Sequence, residues 1–181
     1  MSAEKKAYIC ERLLDMMEGQ SFFSIKVTSF IKYAGVGRST FYFYFDSLYD
    51  VLQTIEDEYF DGLLPEAEIA QASRSGRKTR VDSGFIGKVS YIERNKRALR
   101  ILIGENGDPS FAVRLVNRNK RITREVLRGR HGLSEAQIDL QAEYIAAGQV
   151  QALKWWLAHE DEMELCDLML ALERNMLALC Q

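Results

Sequence analysis

Proline and cysteine are scarce in this chain, and each scarcity closes off a class of protein. Only two prolines, Pro65 and Pro109, interrupt 181 residues, and no window sustains the apolar/polar alternation of a half-buried strand. An all-helical chain is therefore expected. The three cysteines, Cys10, Cys166 and Cys180, are odd in number and far apart, with no C-x-x-C pair and no histidine at metal-ligand spacing. That argues against a disulfide framework and a zinc site; buried thiols are expected, with neither metal nor cofactor. Long apolar runs are missing too, so no membrane span is foreseen. The polar start Met1-Ser2-Ala3-Glu4-Lys5-Lys6 lacks the apolar core of a secretory signal, and a soluble, cytoplasmic protein is the expectation. At 47% hydrophobic and 28% charged residues the chain can build a core, which disordered segments cannot.

Acidic residues are absent from one stretch in particular. Net charge is −4 over residues 1–62, +11 over 71–130 and −7 over 131–181, an awkward start for a chain that would touch nucleic acid. Yet no Asp or Glu stands between Gly19 and Phe45, where Lys26, Lys32 and Arg38 do. The acids flank a locally basic window.

Apolar spacing predicts a first helix over about 4–18, with Ile9, Leu13, Met16 and Met17 on one face and Gly19 as its stop. Ser24 is the predicted N-cap of a second helix reaching Tyr33, Ala34-Gly35-Val36-Gly37 breaks it, and a short third helix runs from Arg38 to Tyr44. Asp46-Ser47 caps a fourth, carrying Leu48, Val51, Leu52, Ile55, Tyr59 and Leu63. A polar loop over 71–80 follows a long connecting helix. Further helices are predicted over about 81–93 and 96–103, and from Asp108-Pro109 to about Gly129 with Phe111, Leu115, Ile122 and Val126 inside. The capping box Ser134-Glu135-Ala136-Gln137 opens one that runs to His159, and a last helix covers 161–179.

The acid-free window has the parts of a helix-turn-helix: a bracing helix, a turn where glycine can adopt a left-handed backbone, and a short helix offering small polar and basic groups. Phe30, Ile31, Ala34, Val36 and Phe41 are its expected packing residues. Arg38 carries the donor fork that suits guanine, and the hydroxyls of Ser39, Thr40, Tyr42 and Tyr44 can reach phosphates or base edges. An aromatic-rich packing turn is the plainer alternative for residues 41–45, but packing alone requires neither the Gly-x-Gly turn nor the missing acids. Gly37-Arg38-Ser39-Thr40 hints at a phosphate loop, but Lys32 stands where that motif needs glycine and Arg38 where it needs lysine. No nucleophile, base and orienter can be assembled, so an enzyme is not expected.

The run A-G-V-x-x-x-T-x-Y-x-Y-F over residues 34–45, followed by a capped helix ending in Val51-Leu52, resembles the N-terminal domain of the tetracycline-repressor-like (TetR/AcrR) family, across about residues 9–52. The resemblance implies an all-α fold: a three-helix DNA-binding domain with a helix-turn-helix over 1–50, and a helical effector-binding and dimerisation domain over 51–181. It places Thr28, Arg38, Ser39, Thr40, Tyr42 and Tyr44 on DNA-contact positions, and Lys26 joins them as a cation of the same window. Three sites depart from the pattern: Leu48 replaces a frequent basic residue, Gly37 a usual Ser or Thr, and Phe30-Ile31 the usual Ile-Ala. The implied function is a ligand-responsive regulator, a repressor by family habit, binding a palindromic operator in double-stranded DNA as a homodimer. A fold that has lost DNA binding and serves as a protein-interaction co-regulator is the alternative, suggested by Leu48 and the acidic flanks.

In the C-terminal domain Ile138, Ala142, Ile145 and Ala152 mark one apolar face, and Ala146, Val150, Leu153 and Leu157 another. With Leu165, Leu168, Met169, Leu172, Met176 and Leu179 of the last helix they are expected to pair with their copies as a four-helix bundle, and Gly148 suggests close helix approach. Tyr91, Phe111, Tyr144 and Trp155 are candidate lining for a small-molecule effector pocket, with core packing the alternative for each. The basic run over 71–130 leaves open an anionic effector beside the plainer reading of solvated helix faces. His131 and His159, next to helix ends, are expected to be solvated.

Overall fold

A computed structural model describes residues 2–63, 83–128 and 132–178, and all the regular structure in them is helical. Helix α1, Ser2–Gly19, precedes a single 3-10 turn at Phe22–Ser24; α2 is Val27–Ala34, α3 Arg38–Tyr44 and α4 Leu48–Leu63. After them come α5, Ser83–Ile103, α6, Pro109–Arg128, α7, Glu135–Ala158, and α8, Leu165–Ala178. The predicted polar loop over 71–80 and the end of the connecting helix lie outside the described residues, as do His131 and Cys180.

Local chemistry sets most of the helix ends. At Asp108-Pro109 the carboxylate accepts the backbone N–H of Ser110 at 2.8 Å, and proline opens α6 at a position whose N–H has no helical acceptor. Ser134 and Gln137 form the reciprocal capping box of α7. Ser47 accepts the N–H of Asp50 at 3.1 Å, and Asp50 accepts that of Asp46 at 3.0 Å, which starts α4.

Three boundaries differ from expectation. Ser24 does not cap α2: its hydroxyl donates back to the Ser21 carbonyl at 2.7 Å, closing the 3-10 turn, and α2 starts at Val27 with Lys26 before it. Such local side-chain bonds compete with capping. The helices expected over 81–93 and 96–103 are one, unbroken through Arg94 and Asn95, where the Asn95 side-chain amide donates to the Tyr91 carbonyl one turn back at 2.8 Å. The last helix begins at Leu165 and not Asp161; turns hold 159–164, anchored by the Trp156 indole N–H on the Met163 carbonyl at 2.7 Å.

One continuous apolar core runs from Ile9, Leu13 and Met17 of α1 through Phe30, Phe41 and Phe45 to Leu99, Phe111, Trp156 and Leu165. A small second cluster of Leu127, Ile138 and Ala142 closes the far end of α6 and α7. These two helices run antiparallel, as the ion pairs Lys120–Glu143, Arg124–Asp139 and Arg128–Glu135 show. At Gly62 in α4 a methyl group would sit 2.1 Å from the tip of the Tyr91 ring, so glycine is what lets α5 approach. Cys10 is half-buried, its thiol pushed up to about 11 by burial and the nearby Glu58 carboxylate; Cys166 is exposed, against the expectation of buried thiols.

Candidate nucleic-acid interface

The turn between α2 and α3 is built around Gly35, whose φ of +61° lies in the left-handed region that a side chain disfavours. Its N–H bonds the Lys32 carbonyl at 3.3 Å, and that of Val36 bonds Ile31 at 3.2 Å, closing the end of α2. The Tyr8 hydroxyl of α1 donates to the Ala34 carbonyl at 2.9 Å and ties the same end down. Phe30 and Phe41 meet edge to face with centroids 5.9 Å apart, both fully buried, which fixes α3 across α2.

On α3 the core-facing side is Phe41, with Thr40 and Tyr44 half-buried at its margins, while Arg38, Ser39, Tyr42 and Phe43 point to solvent. The Arg38 guanidinium rests 5.7 Å from the Tyr42 ring centroid, a cation–π contact that leaves its donors free to turn outward. Lys26 and Thr28 are exposed on the approach to α2. All seven sequence-expected contact residues thus lie in or beside one helix-turn-helix, five exposed and two half-buried. Leu48 is buried beneath the motif and belongs to the core. Gly37 precedes α3 with no side-chain cap. Sequence reasoning passed over two features of this surface. Phe43, given no role of its own in the sequence, is 79% exposed, and its position one turn from Ser39 is the signal that could have found it. Lys6 reaches over Phe45, 5.1 Å from its centroid, bringing the basic start of α1 beside the motif.

Six acids of α1 and α4 stand against arginines of the helices behind them. Arg97 of α5 is held by Glu11, Asp15 and Glu18 of α1 at 2.5, 2.5 and 2.6 Å, and these carboxylates hold its guanidinium protonated, raising its pKa. Arg114 of α6 meets Glu56 and Asp57 of α4 at 3.5 and 3.1 Å, and Arg118 stands 3.8 Å from Asp61. The same seam carries Phe22 N–H to the Asn106 carbonyl at 2.9 Å and Tyr49 hydroxyl to the Asp108 carboxylate at 3.2 Å. Glu56 is 1% exposed, and burial, joined by the Asp108 and Asp57 charges, pushes its carboxyl up to about 7 against the opposing pull of Arg114.

A cavity of about 190 Å³ lies among α4 to α8, lined chiefly by Leu63, Ile92, Leu115, Val150, Leu153, Met169 and Leu172, with Asn119 and Gln149 and the charged Lys88 and Glu173 as its polar lining. The four aromatic candidates for effector lining do not converge on it. Phe111 is a fully buried core residue, Tyr91 packs half-buried on Gly62, Tyr144 is 67% exposed, and Trp155 stacks on His159 at 4.5 Å. Neither apolar face expected to pair with a second subunit is free: Ile138, Ala142, Ile145, Ala146, Val150 and Leu157 are buried in the chain's own core. Helix α7 leaves a different stripe exposed: Leu140, Tyr144, Ala147, Gly148, Gln151 and Trp155.

The fold and this site describe a helix-turn-helix protein with a larger helical domain behind it. Residues 80–176 match the TetR family model described as the transcriptional regulator C-terminal region, and the chain belongs to the TetR family of transcriptional regulators. Two solved structures share the fold over nearly their whole length. A TetR transcriptional regulator from Streptococcus agalactiae 2603V is 21% identical, with a TM-score of 0.66 over 97% of this chain and 94% of its own. The dihydroxyacetone kinase operon activator DhaS is 15% identical, with a TM-score of 0.63 over 96% and 94%. No curated protein sequence matches the chain. The family is one of regulators and not of enzymes, and helix-turn-helix DNA binding follows from it. Among the described residues no helix is long and apolar enough to cross a membrane.

Proposed function

We propose that the chain is a ligand-responsive, DNA-binding repressor that holds a palindromic operator as a homodimer in the cytoplasm, with residues 1–50 as the DNA-binding domain and 51–181 as the effector and dimerisation domain. One observation carries the reading: the exposed side of α3 presents Arg38, Ser39 and Tyr42 on a helix without acids, while Glu11, Asp15, Glu18, Glu56, Asp57 and Asp61 are drawn to arginines of the seam. Arg38 reads a guanine edge, Ser39 and Tyr42 contact phosphate or base edges, and Thr40 and Tyr44 reach from the margins of α3. Lys26 and Thr28 bind phosphate from the start of α2. The acidic flanks weigh less toward a fold that has lost DNA binding, since six of their carboxylates stand against arginines of α5 and α6.

The exposed stripe of α7 supports pairing between two copies. A methyl group on Gly148 would meet nothing within 4 Å in the chain itself, so the approach this glycine permits is open to a second subunit. The cavity among α4 to α8 supports a small-molecule effector that shifts α4, and with it the recognition helices. Binding to duplex DNA from beside the protein's own gene, titrated with salt, tests the reading. Arg38→Ala is expected to weaken it roughly tenfold or more per half-site, and Tyr42→Phe by less. Binding indifferent to both substitutions removes the contact assignment, and a monomer at micromolar concentration in sedimentation removes the dimer.

A further inference from the structure

Phe43 has the most exposed large apolar side chain among the described residues, at 79%, and stands in the middle of the recognition helix. Helical geometry puts Ser39 and Phe43, four residues apart, opposite the buried Phe41. The ring is braced: it meets Tyr44 at right angles with centroids 4.9 Å apart, and Tyr44 is itself packed against the core. Apart from that edge contact with Tyr44, the ring on the outward face of this helix is turned to water and 79% exposed, and it gains nothing from water there. In the major groove the apolar feature a base offers is the thymine methyl group.

We propose that Phe43 is a specificity-determining residue that packs on the C5-methyl group of a thymine in each half-site; this rests on the DNA-binding reading above. The surface around it fits that occupant, with Arg38 free and an acid-free window that suits a polyanion. Arg38 and Phe43 are five residues apart, about 7.5 Å along a helix, so the thymine falls within roughly two or three base pairs of the guanine that Arg38 reads, at about 3.4 Å per step.

The test begins by selecting duplexes from a random pool with the wild-type protein. Each thymine of the selected half-site is then replaced, symmetrically, by deoxyuridine, which removes the methyl group and leaves base pairing intact. One thymine per half-site is expected to matter, its replacement weakening wild-type binding about three- to fivefold per methyl group, the weight of one buried methyl, and about tenfold or more for the pair. Phe43→Ala should bind the thymine duplex as weakly as the wild type binds the deoxyuridine duplex and show no further loss with it, while Phe43→Leu keeps part of the sensitivity. Unchanged circular dichroism and thermal midpoint establish that Phe43→Ala folds. A selected duplex bound equally well with and without every methyl group overturns the proposal alone. Equal deoxyuridine sensitivity in wild type and Phe43→Ala overturns it as well, and so does a Phe43→Ala variant that changes oligomeric state while its DNA affinity holds. Failure to select any duplex overturns the DNA-binding reading, and the proposal with it.

Discussion

The recognition face and the seam behind it handle charge in opposite ways. The window that holds α2 and α3 carries few cations and no acids, and Arg38 rests on an aromatic ring. Along the seam arginines are plentiful but occupied, Arg97 by three carboxylates and Arg114 by two. A long-range field depends on charge left unneutralised, so the region with fewer basic residues is the better surface for a polyanion. The basic run over 71–130 is built differently. Its described members chiefly clamp the acidic helices that precede and follow it, as Arg100 and Lys96 do with Glu160 at 2.8 and 2.6 Å.

Four substitutions can break or sharpen this contrast. Phe111→Ala should be the most damaging, because a fully buried ring beside the seam leaves a cavity; a loss of about 3 to 5 kcal/mol is expected in denaturant unfolding. A loss below about 1 kcal/mol would mean that Phe111 lines an open pocket after all. Glu56→Gln addresses pH. With its folded pKa near 7, above the ordinary carboxyl value, Glu56 holds a proton more tightly in the folded protein than in the unfolded chain. The stability this gives is complete below the ordinary value and is lost as pH rises through about 7. Thermal unfolding at pH 5 and pH 8 should show the wild type losing on the order of 1 to 2 kcal/mol relative to Glu56→Gln over that interval.

Arg97→Ala should cost about 1 kcal/mol and lower the thermal midpoint by roughly 2 to 4 °C, since half-exposed ion pairs contribute little singly and only their network adds up. A stability unchanged by high salt in the wild type would argue against that network. Gly37→Ser should have the smallest effect. A side chain at 37 meets only the Thr40 hydroxyl, at 3.6 Å, so a serine cap can form and should stabilise by a few tenths of a kcal/mol in a careful melt.

The two regions also differ in how far they could be read before the fold was known. The helix-turn-helix is local: Gly35 must take a left-handed backbone, Phe30 and Phe41 are eleven residues apart, and the α3 boundaries follow from the turn before and the cap after. The seam is not local. Arg97 and Glu11 are 86 positions apart and Arg114 and Asp57 are 57 apart, and no spacing rule joins them. Their trace in the sequence was the alternation of acidic, basic and acidic segments, which can be seen without knowing who pairs with whom. The faces of α7 were misassigned for the same reason. Apolar residues surround most of that helix, and only packing decides which side the chain covers itself and which, around Tyr144 and Gly148, it leaves open. The cavity lining from Ile92 to Leu172 had no signal separable from core.

The claim that free cations carry DNA binding while seam cations do not is tested most directly by the salt dependence of operator affinity. Each phosphate-contacting lysine removed should lower the slope of log affinity against log salt by about one. Lys26→Ala is predicted to lower it by about that much per subunit, and Arg97→Ala, which removes the same formal charge, to leave it unchanged. Equal slopes for the two variants, or a slope lowered only by Arg97→Ala, would contradict the account.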